Sequence, residues 1–327
     1  MTRRGEFRLI ADLFAPLSAG CAGAFGLTDD AAVVDVPAGR SLVSTVDALV
    51  EGVHFLPDDP PDLIARKLIR VNLSDLAAMG AAPWLVFLAA CFPRDVSGAW
   101  LEGFAEGLKA DCAEFGIALA GGDTVATPGP ATFSLTALGL VPPGRALRRA
   151  GARPGDLLFL SGTLGDAALG LKVLRGEVTA DAESAAFLAD RYRLPQPRIG
   201  LGTRLAGLAH ACLDISDGLV QDVGHLCRES GVGAVIDLAA LPFSDAARAV
   251  FGPVALDAAL RGGDDYELAF SAPPEASPRI LEAAEDAGVP VAVIGRVEAG
   301  TGVGLLGPKG RIPEPDSGGW NHFRGDP

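Results

Sequence analysis

The chain has 327 residues, of which 49% are hydrophobic and 21% are charged, and its formal net charge is −14. This composition is typical of a globular protein with a sizeable core, and the length favours two domains over one. The excess of negative charge argues against nucleic acid or an anionic membrane as a partner, because both require a basic surface.

Five scattered cysteines include no C-x-x-C pair, which favours free thiols in a reducing cytoplasm over a disulfide framework. The first residues, MTRRGEFRLIADLFAPLSAGC, have early arginines, but Glu6 and Asp12 interrupt the apolar run. We therefore expect an amphipathic first helix rather than a signal peptide. No apolar run is long enough to span a membrane, so we expect a cytoplasmic protein without membrane contact.

The first half alternates strand-like and helical patterns. Ser97 is a candidate N-cap and Gly116 a candidate stop signal for one of its helices. The patterns predict, in chain order, a strand over 41–46, helices over 62–79 and 98–115, and strands over 117–120 and 132–141.

The segment PPGRALRRAGARPGD, residues 142–156, is the best linker candidate because it is rich in Pro, Gly and Arg. Both halves mix helices and strands, so we expect two mixed α/β domains over residues 1–148 and 149–327. The second half predicts strands at 157–160, 234–238, after Tyr266 and at 290–295, and helices near 198–210, 218–230 and 277–287.

Six short motifs set an Asp beside Gly, Ser, Thr or Asn. Taken singly, each is also typical of a turn or a helix cap. Asp75 is different, because it shares a helical stripe with Leu68 and Val71 and should face the core, where an unpartnered carboxylate is costly. The motifs are TDDAA (28–32), STVD (44–47), NLSD (72–75), GGDT (121–124), DISDG (214–218) and GGDD (262–265).

Convergence of several carboxylates requires cations, since two like charges ~4 Å apart repel by about 4 kcal/mol at an effective dielectric constant of ~20. Oxygen ligands favour Mg²⁺ or Mn²⁺ over zinc, and Mg²⁺ held by carboxylates indicates phosphate chemistry. The chain has no P-loop and no protein-kinase signature. The segment SGTLGDAALG, residues 161–170, is compatible with either a phosphate cradle or a plain turn.

The order of the motifs resembles the thiamine-monophosphate kinase family, within a class that includes aminoimidazole ribonucleotide synthetase. The residues that carry the resemblance are TDDAAV, STVDALVEGVHF, NLSDLAAMGA, GGDT, GRALRRAG, SGTLGDAALGL, DISDGL, GGDDYEL and GWNHF, and they span essentially the whole chain. The resemblance implies a two-domain α/β (mixed α+β) fold of the aminoimidazole ribonucleotide synthetase type, whose N-terminal domain pairs in a homodimer. It also implies phosphorylation of thiamine monophosphate to thiamine diphosphate, with ATP as co-substrate and several Mg²⁺ ions.

The resemblance also implies roles for individual residues, matched by motif position. Thr28 and Asp264 depart from the family pattern, which usually has Gly and Glu there. Asp47, Asp75 and Asp217 are implied to be catalytic. The implied metal ligands are Asp30, Thr45, Asp47, Asp75, Asp123, Asp214 and Asp217; the nucleotide contacts are Gly122, Asp123, Arg149 and Ser216; and the substrate contacts are His54, Asp264 and Trp320.

The expected chemistry needs no general base. A phosphate monoester has a second pKa near 6, so the acceptor is already an anionic nucleophile at neutral pH. Direct in-line transfer of the ATP γ-phosphate then depends on positioning and charge neutralisation. Two alternatives stay open: an ATP-activating synthetase of the same class that releases free phosphate, and a non-catalytic sensor of metal or nucleotide.

Overall fold

The computed structural model describes residues 6–250 and 252–312. The chain divides into two compact units, one formed by Met1–Leu76 with Ala81–Gly144 and the other by Ala77–Gly80 with the chain from Arg145 onward. The first unit therefore ends inside the Pro-, Gly- and Arg-rich segment 142–156. The domain limits 1–148 and 149–327 stay a prediction.

The first half of the chain forms, within the described residues, a four-stranded sheet in the order β1-β4-β2-β3. All neighbouring strands are antiparallel except β2 and β3, which are parallel. The elements are α1 (Glu6–Leu9), β1 (Ser41–Val50), α2 (Pro61–Ala78), β2 (Ala82–Pro93), α3 (Gly98–Phe115), β3 (Ala118–Thr127) and β4 (Thr132–Val141).

Helix α3 begins and ends at the residues that the sequence indicates. Ser97 Oγ accepts a hydrogen bond of 3.1 Å from the Trp100 backbone N–H, and Gly116 has a φ of 64°, which suits glycine. The helix packs on the sheet through Phe104, whose ring stacks on Phe133 of β4 with centroids 4.7 Å apart. Both side chains are fully buried.

The expected amphipathic first helix is shorter than predicted. Helix α1 has 4 residues and is followed by a π-helical segment, Ile10–Phe14, and a 3₁₀ segment, Ala15–Ser18. Pro16 lies at the start of the 3₁₀ segment, and proline cannot continue an α-helix because it lacks the N–H and its ring clashes with the preceding turn.

The second half forms, within the described residues, a seven-stranded sheet in the order β11-β10-β7-β9-β5-β8-β6. Only the β10–β7 pair is parallel among its neighbours. The elements are β5 (Leu157–Ser161), α4 (Asp166–Leu174), α5 (Ala182–Arg193), α6 (Ile199–Leu205), β6 (Ala211–Asp214), α7 (Leu219–Ser230), β7 (Gly233–Asp237), α8 (Asp245–Ala249), α9 (Pro253–Arg261), β8 (Leu268–Ala272), α10 (Ser277–Asp286), β9 (Val291–Glu298), β10 (Gly302–Gly307) and β11 (Gly310–Ile312).

The register of three strands brings three loops to one end of this sheet. Leu160 of β5 pairs with Ala269 of β8, and Asp214 of β6 pairs with Leu268. The loops that follow β5 and β6 therefore emerge beside the loop that precedes β8. Sequence motifs that are about 50 residues apart in the chain become neighbours at this end of the sheet.

The mixed α/β class expected from the sequence is confirmed. Helix α6 is shorter than predicted, because Ala206 leaves helical geometry and Gly207 has a φ of 84°. Strands β2, β6, β10 and β11 and helices α5, α8 and α9 were not predicted. Within the described residues, no helix combines the length and the apolar character needed to cross a membrane.

Candidate active site

In the first unit, strand β1 and helix α2 bring together three predicted ligands. Thr45 Oγ1 donates a hydrogen bond to Asp75 Oδ2, and the Asp47 backbone N–H donates to Asn72 Oδ1 at 3.1 Å. Thr45 and Asp47 share one face of β1 because side chains alternate along a strand. Asn72 and Asp75 are three apart on α2 and therefore lie on one helix face.

Asp75 does not face the core as its helical stripe predicts. It is half-buried. The other three residues of the NLSD motif are buried, and among them Asn72 donates from Nδ2 to the Leu68 carbonyl at 2.9 Å. Asn72 was not among the predicted site residues, although its spacing of three from Asp75 was a usable signal.

His54 lies in the turn that follows β1 and is held by the backbone. Its Nδ1 accepts a 3.0 Å hydrogen bond from the Val50 N–H, so the proton of the neutral imidazole lies on Nε2. Its carbonyl accepts a 2.9 Å hydrogen bond from Lys67 Nζ. Lys67 is only 2% exposed, and sequence reasoning gave it no role.

A cavity of about 390 Å³ lies in the first unit and is lined by predicted site residues. Asp30, Gly122 and Asp123 contribute to its wall, together with apolar side chains that include Phe14 and Phe87. This volume lies within the range of roughly 300–1,000 Å³ that is typical of small-molecule sites. Gly122 is required there, because a Cβ atom would lie 1.9 Å from the Leu88 carbonyl oxygen.

Thr28, which lies between the cavity-lining residues Leu27 and Asp29, adopts a φ of −108°. Glycine is therefore not needed at this position, and the departure from the family pattern causes no backbone strain. The left-handed residues are its neighbours Phe25, Gly26 and Leu27, with φ values of 50°, 65° and 59°.

In the second unit, the turn 214–218 carries three further predicted residues. Asp214 ends β6 and is 4% exposed, whereas Ser216 and Asp217 are half-buried. Asp217 Oδ2 accepts a 2.9 Å hydrogen bond from Gln221 Nε2. Buried Asp222 accepts three backbone hydrogen bonds from this turn, and burial raises the pKa of its carboxyl to about 7 against the opposing effect of those bonds.

Asp264 lies beside the same turn. Its backbone N–H donates to the Ser216 carbonyl at 3.0 Å, and the Tyr266 N–H donates to the Ile215 carbonyl at 2.8 Å. Both residues have positive φ values, 70° for Asp264 and 51° for Tyr266. Left-handed backbone at non-glycine residues is costly and concentrates at functional sites. The Tyr266 hydroxyl donates to Asp264 Oδ1 at 3.3 Å.

The glycine loop between β5 and α4 is closed by the protein's own carboxylate. The N–H groups of Gly165 and Ala167 donate to Asp265 Oδ2 and Oδ1 at 2.7 and 3.2 Å. Asp265 is 3% exposed, and burial raises the pKa of its carboxyl well above the usual value. These donors are the ones a phosphate would need at a helix N-terminus. The structure therefore favours the plain turn over the phosphate cradle.

The side chain of Glu267 binds the same segment at Ser161, the last residue of β5. Its fully buried carboxylate accepts hydrogen bonds from Ser161 Oγ at 2.6 Å, from Arg191 at 2.9 Å and from Arg198 Nε at 2.6 Å. A buried carboxylate is stable only when it is paired and hydrogen-bonded in this way. Sequence reasoning missed this group.

Arg149 is exposed, and its carbonyl accepts a 3.2 Å hydrogen bond from Ser230 Oγ at the end of α7. Burial, Arg228 and Arg149 lower the pKa of His225 on the same helix, whereas Asp217 opposes them. The charges of Arg149 and Asp217 therefore both influence the pKa of His225. Trp320 lies outside the described residues.

Within residues 6–250 and 252–312, no three His, Cys, Asp or Glu side chains are arranged to hold a metal ion. The predicted ligands instead supply oxygen atoms in smaller groups, such as Thr45 with Asp75. Mg²⁺ usually keeps several waters and is held by one or two carboxylates together with substrate phosphates. The oxygen chemistry of these residues fits Mg²⁺ shared with a phosphate ligand, rather than a metal enclosed by protein alone.

Comparison with known proteins first defines the class. Residues 28–141 match the N-terminal domain of AIR synthase related proteins, and residues 153–307 match their C-terminal domain. The chain is thus an AIR synthase related protein with both domains.

More specific relatives define the family. The chain is 45% identical over 325 residues to the thiamine-monophosphate kinase of Caulobacter vibrioides, covering 97% of this chain and 90% of that protein. The crystal structure of thiamine-monophosphate kinase from Stenotrophomonas maltophilia K279a is 42% identical, with a TM-score of 0.80 over 85% of this chain and 89% of that one. AaThiL complexed with AMPPCP and TMP is 33% identical, with a TM-score of 0.79 over 99% of each chain. The protein belongs to the thiamine-monophosphate kinase family.

Proposed function

We propose that this protein transfers the γ-phosphate of ATP to thiamine monophosphate and produces thiamine diphosphate and ADP. The observation that carries the proposal is the 45% identity to a thiamine-monophosphate kinase over 97% of the chain. AaThiL, which matches over 99% of this chain, was complexed with AMPPCP and TMP, so that relative holds an ATP analogue and TMP together.

We further propose that Mg²⁺ is the metal. Bound to the nucleotide, it would neutralise the negative charge of the phosphates. In the first unit, Thr45, Asp47 and Asp75 would hold it at β1 and α2, and Asp30 and Asp123 would do so at the cavity. In the second unit, the proposed ligands are Asp214 and Asp217. The support is their oxygen chemistry and their partly exposed positions, Asp214 excepted.

The residues of this chain would act by binding and orienting. Gly122, Asp123, Arg149 and Ser216 are the proposed nucleotide contacts, and His54, Asp264 and Trp320 are the proposed contacts of thiamine monophosphate. The acceptor phosphate is largely ionised at neutral pH, so no side chain has to remove its proton. The role of the protein is then alignment of acceptor and donor phosphates for direct in-line displacement.

The test is turnover with Mg²⁺ and ATP, using thiamine monophosphate, free thiamine and the substrates of related synthetases as acceptors. We expect one thiamine diphosphate per ADP, negligible free phosphate, and inversion at a chiral γ-phosphorus. Free phosphate equal to ADP would assign the protein to the ATP-activating synthetases. Tight binding without turnover would make it a sensor, and retention of configuration would indicate a phosphoenzyme.

We also propose a homodimer that forms through the first unit. The face of β1 opposite to Thr45 and Asp47 exposes apolar side chains, with Leu42 at 44% and Val46 at 61%. A sheet face of this kind is a candidate protein interface. Sedimentation of the parent should give the mass of two chains, and Val46→Glu should shift it towards one.

The proposed location is the cytoplasm, consistent with five free thiols.

A further inference from the structure

Asp222 gathers three consecutive backbone donors on one oxygen atom. Its Oδ2 accepts hydrogen bonds from the N–H groups of Ser216 at 3.1 Å, Asp217 at 3.0 Å and Gly218 at 3.1 Å. The side chain is 5% exposed and lies in the first turn of α7. A carboxylate is well placed there, because the N-terminal end of a helix attracts negative charge.

The backbone of the turn at Gly218 is one that only glycine adopts readily. Gly218 has a φ of 121°, and a Cβ atom there would lie 2.8 Å from the backbone of Arg261. Three successive N–H groups that point at one position form a concavity that attracts anions. Asp222 fills that concavity with the protein's own carboxylate, so it orders the turn instead of leaving the donors to solvent.

The same helix turn also holds the side chain of Asp217. Gln221, the neighbour of Asp222, donates from Nε2 to Asp217 Oδ2 at 2.9 Å. The backbone N–H of Asp217 is thus held by residue 222 and its carboxylate by residue 221. The half-buried Asp217 is presented in one orientation by two adjacent residues that sequence reasoning did not single out.

We propose that Asp222 is a positioning residue for the reaction: it shapes the turn 216–218 so that Asp217 and Ser216 meet the Mg²⁺-bound nucleotide in a single geometry. This inference rests on the proposed function, in which Asp217 is a metal ligand and Ser216 a nucleotide contact. Asp222 itself acts through the backbone of those residues. Loss of an outer partner of this kind typically costs about 10- to 100-fold in metal affinity or activity.

A matched control is available in the same unit. Asp156 is also a buried acidic acceptor, 3% exposed, and binds the Arg153 N–H at 2.9 Å and Ser271 Oγ at 3.1 Å. It precedes β5, whose residue Leu157 pairs with Ala272, so it lies at the opposite end of the strands from the turn 216–218. Asp156→Ala removes a comparable buried acceptor without touching that turn.

The first readout needs no metal or substrate. Amide hydrogen exchange in EDTA should be faster at residues 216–218 in Asp222→Ala than in the parent, and unchanged there in Asp156→Ala. Asp222→Asn retains an oxygen acceptor, so its exchange should fall between the parent and Asp222→Ala. Equal exchange in the parent and in Asp222→Ala would overturn the proposal.

The second readout is the affinity for the metal and nucleotide. Asp222→Ala should raise the Mg²⁺ concentration for half-maximal activity by about 10- to 100-fold and weaken calorimetric binding of a Mg²⁺-bound, non-hydrolysable ATP analogue. Asp222→Asn, which keeps an oxygen acceptor, should raise the Mg²⁺ requirement by less than Asp222→Ala does but measurably, and Asp156→Ala should lower only the Tm. If Asp222→Ala does not fold, Asp222→Asn and Gln221→Met decide the question. Each should raise the Mg²⁺ concentration for half-maximal activity. An unchanged Mg²⁺ requirement in both variants overturns the proposal.

Failure of the positioning role and failure of the proposed function give different results. A parent protein that binds the nucleotide analogue but does not phosphorylate thiamine monophosphate contradicts the proposed function. A parent that phosphorylates it, with an Asp222→Ala variant whose Mg²⁺ requirement is unchanged, contradicts the positioning role alone.

Discussion

Acidic residues of the candidate site are placed differently in the two units. In the first unit, Asp30 and Asp123 are exposed, and Asp47 and Asp75 are half-buried. In the second unit, Asp222, Asp265 and Glu267 are buried and bound by the chain's own N–H, hydroxyl or guanidinium groups. The difference teaches that an acidic residue beside apolar segments can stay partly open to solvent or can be buried to close a turn.

The second unit combines both purposes within single motifs. Asp264 is half-buried beside the Ser216 turn, whereas its neighbour Asp265 is buried against the start of α4. Asp217 and Asp222 divide the roles in the same way. We infer that the half-buried member of each pair contributes to function and the buried member to the shape of the site.

The largest expected effect tests the first unit. Asp75→Asn keeps an oxygen acceptor for Thr45 Oγ1 but removes a charge, so kcat should fall on the order of 10²- to 10³-fold. Stability in EDTA should hold or rise, because removing a charge from an ion-free acidic cluster relieves repulsion. ADP formation and thermal melting in EDTA measure the two effects.

The control for this prediction is Asp62→Asn, the same substitution in the first turn of the same helix. It should leave turnover close to that of the parent. A variant Asp75→Asn that melts well below the parent in EDTA would show that Asp75 is structural, and the contrast between the units would then be wrong.

The next prediction makes the same Asp→Asn substitution separately at two adjacent residues. Asp265→Asn leaves one of the two N–H donors of the α4 loop facing an amide, so the free energy of unfolding should drop by about 1–3 kcal/mol. Asp264→Asn should leave stability nearly unchanged and raise KM for thiamine monophosphate by about tenfold, equivalent to ~1.4 kcal/mol. Urea unfolding and steady-state kinetics measure both. If Asp264→Asn instead lowered the free energy of unfolding and Asp265→Asn raised KM, the roles assigned to these two residues would be wrong.

The smallest effect is a pH dependence at Asp166. Burial is the main cause that raises the pKa of this carboxyl above 3.8, while Ser244 and Thr163, which donate to it at 2.5 Å, oppose the shift. The native state therefore keeps this proton to a higher pH than the unfolded chain. Its contribution to stability is complete below pH 3.8 and is lost as the pH rises through the folded pKa.

Asp166→Asn should remove this dependence, because either hydroxyl can reverse to accept from the new amide. Relative to the parent, the variant should gain stability as the pH rises from 4, by at most about 1.4 kcal/mol per pH unit. The exposed cap Asp181 is the control, since hydrogen bonds from Ser184 lower its pKa and Asp181→Asn should change the slope in the opposite direction. Urea unfolding from about pH 2 to pH 8 checks both signs, because the contribution of Asp181 is lost only as the pH falls below 3.8. Parallel curves for Asp166→Asn and the parent would contradict the prediction.

Much of the fold could be predicted from the sequence where one local rule decides. Helix α3 follows its N-cap Ser97 and its stop Gly116, and strand β4 has the predicted limits Thr132–Val141. Strand β2 was missed because it pairs on both sides, with β3 and β4, and its apolar run APWLVFLAACFP lacks the alternation that identifies a strand.

The sequence by itself determined which candidate site residues this protein has: it showed the oxygen-rich motifs, their order along the chain, and the residues that the family resemblance implies. Only the tertiary structure decided which acidic residues stay partly open to solvent and which close turns. Asp264 and Asp265 are chemically identical and adjacent, but strand β8 and the turn after β6 place one beside the Ser216 carbonyl and the other against the N–H groups of the α4 loop. The cost of burying a charge depends on the donors around it, and those donors come from distant parts of the chain.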